Sequence, residues 1–200
     1  KTQNLRFGEA VKMLSNIAGM QPYTFSKQDE ERENKWKLYK SVYTDFSEFY
    51  KNELLKNVKS IKAKDYLKER GLSGIEVKNF NLGFVTEDLD YYEKLKEKFD
   101  DNTIKETGLF YFDERKKKYI SRFRNRIIFP INNISGNIIA FGGRIIDDNK
   151  NLAKYINSPE TIFFKKGSNL YNLDKARKLS NKLDDVYLVE GYMDVIGLSK

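Results

Sequence analysis

The chain has 200 residues and a formal charge of +8, and it is 40% apolar and 14% aromatic, which is enough for a packed core. It holds no cysteine and no histidine, which excludes a disulfide framework, a Cys/His zinc site, a Ser-His-Asp triad and any Cys or His catalyst within these residues. Its apolar runs are too short to span a bilayer, and its first residues do not read as a secretory signal.

Apolar residues at 7, 11, 14 and 18 predict a helix over Phe7–Ala18, closed by Gly19. Gln21–Lys27 reads as a linker. Asp29–Lys56 is a long helix: acidic residues crowd its first turn, and Trp36, Tyr39, Val42, Tyr43, Phe46, Phe49, Tyr50 and Leu54 form one stripe. Such a stripe is core packing rather than a ligand box. Ser60–Arg70 is a second helix, stopped by Gly71, and Ser73 with Glu76 has capping-box spacing for a short third. Phe80–Val85 reads as a strand and Asp88–Phe99 as a charged surface helix. From Leu109 the pattern turns to β, at Leu109–Phe112, Arg126–Ile131 and Asn137–Ile146, with a turn at Ser135-Gly136. Tyr171–Lys182 is helical. Val186–Val189 is a short apolar run of the buried parallel-strand type, followed by Glu190, Gly191 and the helical Tyr192–Leu198.

The charge has an address. Residues 105–178 carry 16 basic against 7 acidic side chains, and residues 179–200 carry 2 against 4. Lysine outnumbers arginine 28 to 9, so a single lysine says little, yet Arg115, Arg122, Arg124, Arg126 and Arg144 fall close together. Arginine binds phosphate through a rigid two-pronged fork. Read as a strand, Arg122-Phe-Arg-Asn-Arg126 lines Arg122, Arg124 and Arg126 on one face with Phe123 on the other. The alternative is a charged edge strand that resists pairing. Phe141-Gly-Gly-Arg144, Lys154-Tyr-Ile-Asn-Ser-Pro-Glu-Thr161 and Lys165-Lys-Gly167 offer further phosphate contacts from Arg144, Lys154 and Lys166, and a sugar or phosphate contact from Asn157. None of these is a Walker loop, since Gly-Lys does not occur. Glu190 and Asp194 are two carboxylates across a strand-to-helix turn, suited to a hard ion such as Mg²⁺. An acid pair favoured by the helix dipole would look the same.

Taken in order, Arg122-Phe-Arg-Asn-Arg-Ile-Ile-Phe-Pro-Ile131, Gly136-Asn-Ile-Ile-Ala-Phe-Gly-Gly-Arg144, Lys154-Tyr-Ile-Asn-Ser-Pro-Glu-Thr161, Lys166-Gly167, Leu170-Tyr171 and Val189-Glu-Gly-Tyr-Met-Asp-Val195 closely resemble the bacterial DnaG-type primase family. Ala63-Lys-Asp-Tyr-Leu-Lys-Glu-Arg-Gly-Leu72 and Phe7-Gly-Glu-Ala-Val11 with Ala18-Gly19 look like further family segments.

The resemblance implies an α+β fold: a helical N-terminal part, a mixed or antiparallel sheet subdomain, and the first strand and helix start of an α/β Toprim subdomain. It implies three regions: 1–28 as the tail of an upstream zinc-domain region with its linker, 29–182 as the N-terminal catalytic-core subdomain, and 183–200 as the start of a truncated Toprim subdomain. The activity implied is synthesis of short RNA primers on single-stranded DNA from ribonucleoside triphosphates, with Mg²⁺ or Mn²⁺, in the cytoplasm at the replication fork. A replicative helicase would be the partner of a further region, and zinc would belong only to an upstream domain. Glu190 would be the metal-binding Toprim glutamate and Asp194 its catalytic neighbour, with further metal ligands expected beyond Lys200. Arg122, Arg124 and Arg126 match the basic motif beside the nucleotide path, Arg144, Lys154, Asn157 and Lys166 match the basic ridge and its contact loops, and Arg70 falls at a similarly implicated position. Ser121 stands where the family more often has aspartate. No Asp-x-Asp follows Glu190 as far as Lys200, so the fragment by itself is expected to bind nucleic acid weakly and to polymerise nothing. A non-catalytic single-strand-binding module, or another Toprim enzyme such as a topoisomerase or nuclease, are the alternatives.

Overall fold

The computed structural model describes residues 7–21, 26–86, 91–147, 151–179 and 185–199. Two compact units meet along the chain between Lys37 and Leu38. The first holds α1 (Phe7–Ile17), which closes on Gly19 at φ +64, and the opening turns of α2 (Lys27–Lys56). Ser26 caps α2 reciprocally: its Oγ accepts the Asp29 N–H at 3.2 Å, and its own N–H donates to the Asp29 carboxylate at 3.1 Å. Of the expected linker, residues 22–25 lie outside the described residues.

The second unit is built on a four-stranded antiparallel sheet. Its strands are β1 (Gly83–Val85), β4 (Arg126–Asn132), β5 (Ile138–Ile145) and β6 (Tyr155–Asn157), in the order β1-β4-β5-β6. A separate hairpin joins β2 (Phe110–Asp113) to β3 (Lys118–Ser121). The central strands β4 and β5 are buried on both faces, and so they read as continuous apolar runs instead of alternating. On one face the α2 stripe supplies Tyr39, Val42, Tyr43, Phe46 and Tyr50 against Ile128 and Phe141. Phe141 is the hub, with ring centroids 5.0 Å from Phe46, 6.0 Å from Tyr43 and 6.1 Å from Phe123. On the other face α3 (Ile61–Glu69), α4 (Gly74–Asn79) and α8 (Tyr192–Leu198) place Ala63, Leu67, Val77 and Ile196 in a cluster with Phe84, Ile127 and Phe129.

Pro130 lies inside a central strand, where a missing N–H ordinarily argues against strand structure. Its partner explains the exception. Phe141, opposite Pro130, turns its N–H to Ser158 Oγ at 3.0 Å and its carbonyl to the Ser158 N–H at 2.8 Å, away from β4. On the other side β1 pairs no further than Ile128, so no acceptor waits for a Pro130 donor. The turn after β4 is held by Asn133, whose Oδ1 accepts the N–H groups of Ser135 and Asn137, both at 3.0 Å, with Gly136 at φ +81 as the turn expectation requires.

The expected helices of the first eighty residues are present, and Ser73 and Glu76 form their capping box. The strand expected from Phe80 begins only at Gly83, because Phe80 caps α4 and Asn81 turns at φ +50. The helix expected over Asp88–Phe99 is the shorter α5 (Tyr92–Lys96), with residues 87–90 outside the described residues. Helix α6 (Asp101–Glu106), capped by the Asp100 carboxylate on the Thr103 N–H at 2.9 Å, has no counterpart in the sequence reading, and neither have β3 and β6. Helix α7 (Leu173–Leu179) falls within the helix expected at 171–182, whose last residues, 180–182, lie outside the described residues. Of the region expected at 183–200, residues 183 and 184 and Lys200 lie outside them too.

The strand expected before Glu190 is overturned. Val186–Val189 is not a buried parallel strand: Val186, Tyr187 and Leu188 are 76%, 76% and 82% exposed. No described strand flanks it, and a lone strand has no neighbour to satisfy its backbone or cover its faces. Helix α8 after it does form, as expected. No described helix is long and apolar enough to cross a membrane.

Removing the hub ring leaves a large cavity between α2 and the sheet. Phe141→Ala is expected to cost about 3–5 kcal/mol of folding stability, read as a lower midpoint in urea denaturation.

Candidate nucleic-acid interface

Arg122 to Asn125 form a tight turn between β3 and β4, not a strand. Asn125 closes the turn at φ +56, donates its N–H to the Val85 carbonyl at 2.7 Å and donates its amide to the Asp147 carboxylate. Ser121 opens it by accepting the Phe123 N–H at 3.2 Å, a turn-holding role that an aspartate at this position would share. Strand alternation therefore does not apply, and the three arginines do not share a face. Phe123, expected on the strand face opposite the arginines, instead turns from the loop into the core, fully buried against Phe46 and Phe141.

Each arginine has a separate setting. Arg122 donates from Nε to the Gly108 carbonyl at 3.1 Å and lies over the Tyr111 ring, 5.8 Å from its centroid. Arg124 is half-buried in the turn. Backbone hydrogen bonds from Lys116 and Arg115, together with the charges of Lys116 and Arg124, hold the Asp113 carboxyl below the usual carboxylate range. Arg126 is buried at the start of β4 and donates to the Lys154 carbonyl at 3.3 Å. Burial pulls its guanidinium below the ordinary arginine value, yet it stays charged.

Arg144 belongs to the opposite face of the sheet. It pairs across the ladder with Ile127, one residue out of phase with Arg126, which pairs with Ile145. Only 7% exposed, it is held by aromatic rings. Its guanidinium donates to the Tyr155 hydroxyl and lies 5.0 Å from the Tyr155 ring and 5.1 Å from the Tyr66 ring. Arg70, at the C-terminus of α3, lies over the same Tyr66 ring at 5.4 Å. Two cations thus share one tyrosine face pair, each gaining from the ring quadrupole. Arg144 Nε and the Tyr66 hydroxyl are shielded from solvent and have no hydrogen-bond partner among the described residues.

Asn157, on the same face of β6 as Tyr155, accepts the Tyr192 hydroxyl at 2.6 Å. Tyr192 lies flat on Phe129, at 5.1 Å and 13°. It occupies the space left by Gly142, where a Cβ would come within 2.4 Å of the ring. This contact ties α8 to the sheet. Lys154 and Lys166 are exposed. The Lys166 N–H donates to the Glu160 carboxylate at 3.0 Å, closing the Asn-Ser-Pro-Glu-Thr loop onto the short 3₁₀ turn Lys166–Ser168. That loop meets the Arg122 turn at Gly108, whose φ is +69 and where a Cβ would fall 2.3 Å from Pro159 Cγ. Gly108 therefore bonds Arg122 through its carbonyl and packs against the second basic motif.

Glu190 and Asp194 are exposed on either side of the start of α8. The Asp194 carboxylate folds back over Gly191, so that a Cβ there would meet Oδ2 at 2.8 Å. Among the described residues no three His, Cys, Asp or Glu side chains group as a metal site. The further metal ligands expected beyond Lys200 have no counterpart in these 200 residues, and Lys200 itself lies outside the described residues. The structure thus joins Arg70, Arg144 and Asn157 on one sheet face, Arg126 and the Lys154 carbonyl at the strand ends, and Arg122 beside the Pro159 loop; Lys166 bonds the Glu160 loop, and the two carboxylates lie at the start of α8. Sequence reasoning missed Tyr66, Tyr155 and Tyr192. A tyrosine four residues before Arg70 on a helix, and one next to Lys154, were the available signals.

An antiparallel sheet packed by helices on both faces, with arginines fixed by tyrosines along its flanks, defines an α+β domain. Residues 49–177 match the family described as DNA primase catalytic core, N-terminal domain. The chain is 40% identical to a DNA primase of Pseudomonas putida, over 98% of this chain and 30% of that protein. It superposes on the crystal structure of a DNA primase domain from Pseudomonas aeruginosa with a TM-score of 0.69 at 42% identity, covering 81% of this chain and 50% of that one. It also superposes on a DnaG primase catalytic domain bound to single-stranded DNA, with a TM-score of 0.73 at 31% identity over 84% of this chain and 51% of that one. The chain belongs to the DnaG-type DNA primase family and carries the N-terminal domain of its catalytic core. It spans about a third of the length of the curated relatives it matches.

Tyr192 gives this architecture a pH signature. Burial, and the neighbouring Tyr155, push its hydroxyl up from 10 to about 12. The folded state then holds a proton that the unfolded chain releases first, so the contribution is complete below pH 10 and is lost as pH rises toward about 12. Urea denaturation across that range is expected to show falling stability, with a shallower fall in Tyr192→Phe.

Proposed function

We propose that this chain is part of a primase that makes short RNA primers on single-stranded DNA from ribonucleoside triphosphates. The observation that carries this reading is Arg144, a cation held by the Tyr66 and Tyr155 rings and the Tyr155 hydroxyl with no carboxylate partner among the described residues, beside Arg70. A guanidinium held by rings instead of a carboxylate keeps its full charge, and a nucleotide or template phosphate is the anion it would attract. Arg122, Arg124, Lys154 and Lys166 would extend the contact along the DNA, with buried Arg126 holding the Lys154 backbone in place. The related catalytic domain bound to single-stranded DNA supports the choice of partner. A match running through residues 49–177 favours primase over a topoisomerase, a nuclease or a binding module without catalysis.

Residues 183–200 are proposed as the opening of a Toprim-type subdomain, with the exposed apolar run 186–189 as a strand that gains its cover from that subdomain. The oxygen-only donors Glu190 and Asp194 suit Mg²⁺ or Mn²⁺ and would form part of its ligand set, the remainder coming from beyond Lys200. The metal, when bound, supplies charge neutralisation for phosphoryl transfer. The protein's own contribution is positional: Tyr66 and Tyr155 hold Arg144 in place so that little reorganisation is needed as charge develops. Zinc would belong to an upstream domain and helicase binding to another region. Replication in the cytoplasm completes the proposal.

In the whole protein, Glu190→Gln is expected to lower primer synthesis by more than about a hundredfold, since even outer-shell metal partners cost about 10–100-fold. Single-strand affinity should stay within about twofold, because the substituted group faces the metal rather than the DNA. Primer synthesis retained in that variant would remove Glu190 from the chemistry. Arg144→Ala is expected to do the opposite and weaken binding of an oligonucleotide by at least about tenfold, as befits loss of a charge-assisted contact. An unchanged affinity, measured by fluorescence anisotropy, would overturn the phosphate-binding reading.

A further inference from the structure

The β2–β3 hairpin carries a second set of features, apart from the surface around Arg144. Its tip is Glu114-Arg-Lys-Lys-Lys118, four consecutive cations, with Arg115, Lys116 and Lys117 all exposed. The turn is ordered: Asp113 Oδ1 accepts the N–H groups of Arg115 and Lys116, each at 2.9 Å. Lys117 adopts φ +51, a left-handed conformation that turns ordinarily assign to glycine or asparagine. A cation thus occupies the tip position where glycine would be the easier backbone choice. The pairing of Lys117 with Glu114, at 3.1 Å, joins side chains that are 75% and 79% exposed and holds them only weakly.

The hairpin also bears an aromatic surface. Tyr111 and Phe112 are each 42% exposed. Phe112 leans edge-on against Tyr119, whereas one side of Tyr111 is covered by the Arg122 guanidinium. Protection of an exposed sheet edge would explain the lysines. It would not call for a half-exposed tyrosine backed by an arginine. Cations next to an open aromatic face are what a single-stranded nucleic acid needs, because phosphates follow the charges and an unpaired base stacks on the ring.

We propose that the β2–β3 hairpin is a second contact for the same single strand, with Arg115, Lys116 and Lys117 on phosphates and Tyr111 stacked on a base. Arg122 joins this surface to the first one, since it covers Tyr111 and bonds Gly108, which packs against Pro159. The proposal rests on the nucleic-acid reading of that first surface. Bound there, the strand would pass from the Asn-Ser-Pro-Glu-Thr loop, by way of Arg122, to the hairpin tip.

The test is anisotropy of a labelled oligo-dT on the whole protein across a salt series. The hairpin variant carries Arg115→Ala, Lys116→Ala and Lys117→Ala together; a scattered control of equal charge carries Lys40→Ala, Lys59→Ala and Lys178→Ala. The hairpin variant is expected to lower the slope of log affinity on log salt by about two, at about 0.7 per phosphate contact on single strands, and the control to leave it nearly unchanged. Tyr111→Ala is expected to lose about fivefold or more in affinity with little change in slope, and Tyr111→Phe to keep it, as stacking requires. Equal losses in the hairpin variant and the scattered control would overturn the proposal, and so would a Tyr111→Ala protein that binds like wild type. Equal Tyr111→Ala losses on duplex DNA would overturn the single-strand assignment. Arg144→Ala separates the two surfaces. Loss there with an inert hairpin leaves the first reading standing and removes this one; the reverse result keeps the hairpin and removes the first surface.

Discussion

The antiparallel pairing of β4 with β5 is the constraint on which the rest of this domain depends. Seven register pairs, from Arg126 opposite Ile145 to Asn132 opposite Ile138, create a sheet with two apolar faces. Each face then recruits its own cover: α2 through Phe46 and Phe141, and α3, α4 and α8 through Leu67, Ile196 and Phe129. The same register decides where the arginines go. Arg126 and Arg144 leave the sheet on opposite faces because their partners are one residue apart. A slip by one residue would exchange a guanidinium for an isoleucine in each core.

Burying an arginine is unfavourable unless its charge is met. For Arg144 the charge is met by two π-faces and a hydroxyl, and Arg122 and Arg70 each lie over a tyrosine ring as well. Tyr66 and Tyr155 flank Arg144, Tyr111 lies under Arg122, and Tyr66 also serves Arg70. A carboxylate partner would neutralise the cation and compete with an incoming phosphate. A tyrosine orients the cation without neutralising it, which leaves the full charge for a ligand. The aromatic content of the chain therefore has two uses. The α2 stripe fills a core, and a smaller set of tyrosines near the strand ends holds cations.

Much of the fold was legible because its signals are local. The α2 stripe repeats at helical spacing, Ser73 and Glu76 cap α4 within one turn, and the Ser135-Gly136 turn needs only its own residues. The parts missed have weak local signals. Strands β3 and β6 are four and three residues long and are defined by their partners. The arginine run was misread for the same reason. Alternation along 122–126 presumes an extended chain, but Asn125 at φ +56, anchored to Val85 and Asp147, folds it into a turn. The apolar run 186–189 has the composition of an inner strand, but composition cannot supply the neighbouring strands that would cover it.

By itself the sequence determined which residue types are available and in what order. It placed the excess charge in residues 105–178, set the carboxylates of 190 and 194 after it, removed zinc and histidine chemistry from this stretch, and carried an ordered set of motifs specific enough to point to a primase core. The tertiary structure alone decided which of those charges act together. Tyr66 and Arg144 lie 78 residues apart in sequence and meet only because α3 packs over β5, and Gly108 brings Arg122 to Pro159 across two unrelated segments. Composition and spacing encode short-range preference, whereas the partner of a buried cation is set by strand register and helix packing, which no local pattern contains. The +8 of the whole chain thus resolves into a few guanidinium groups held by particular rings and an ordered basic hairpin tip.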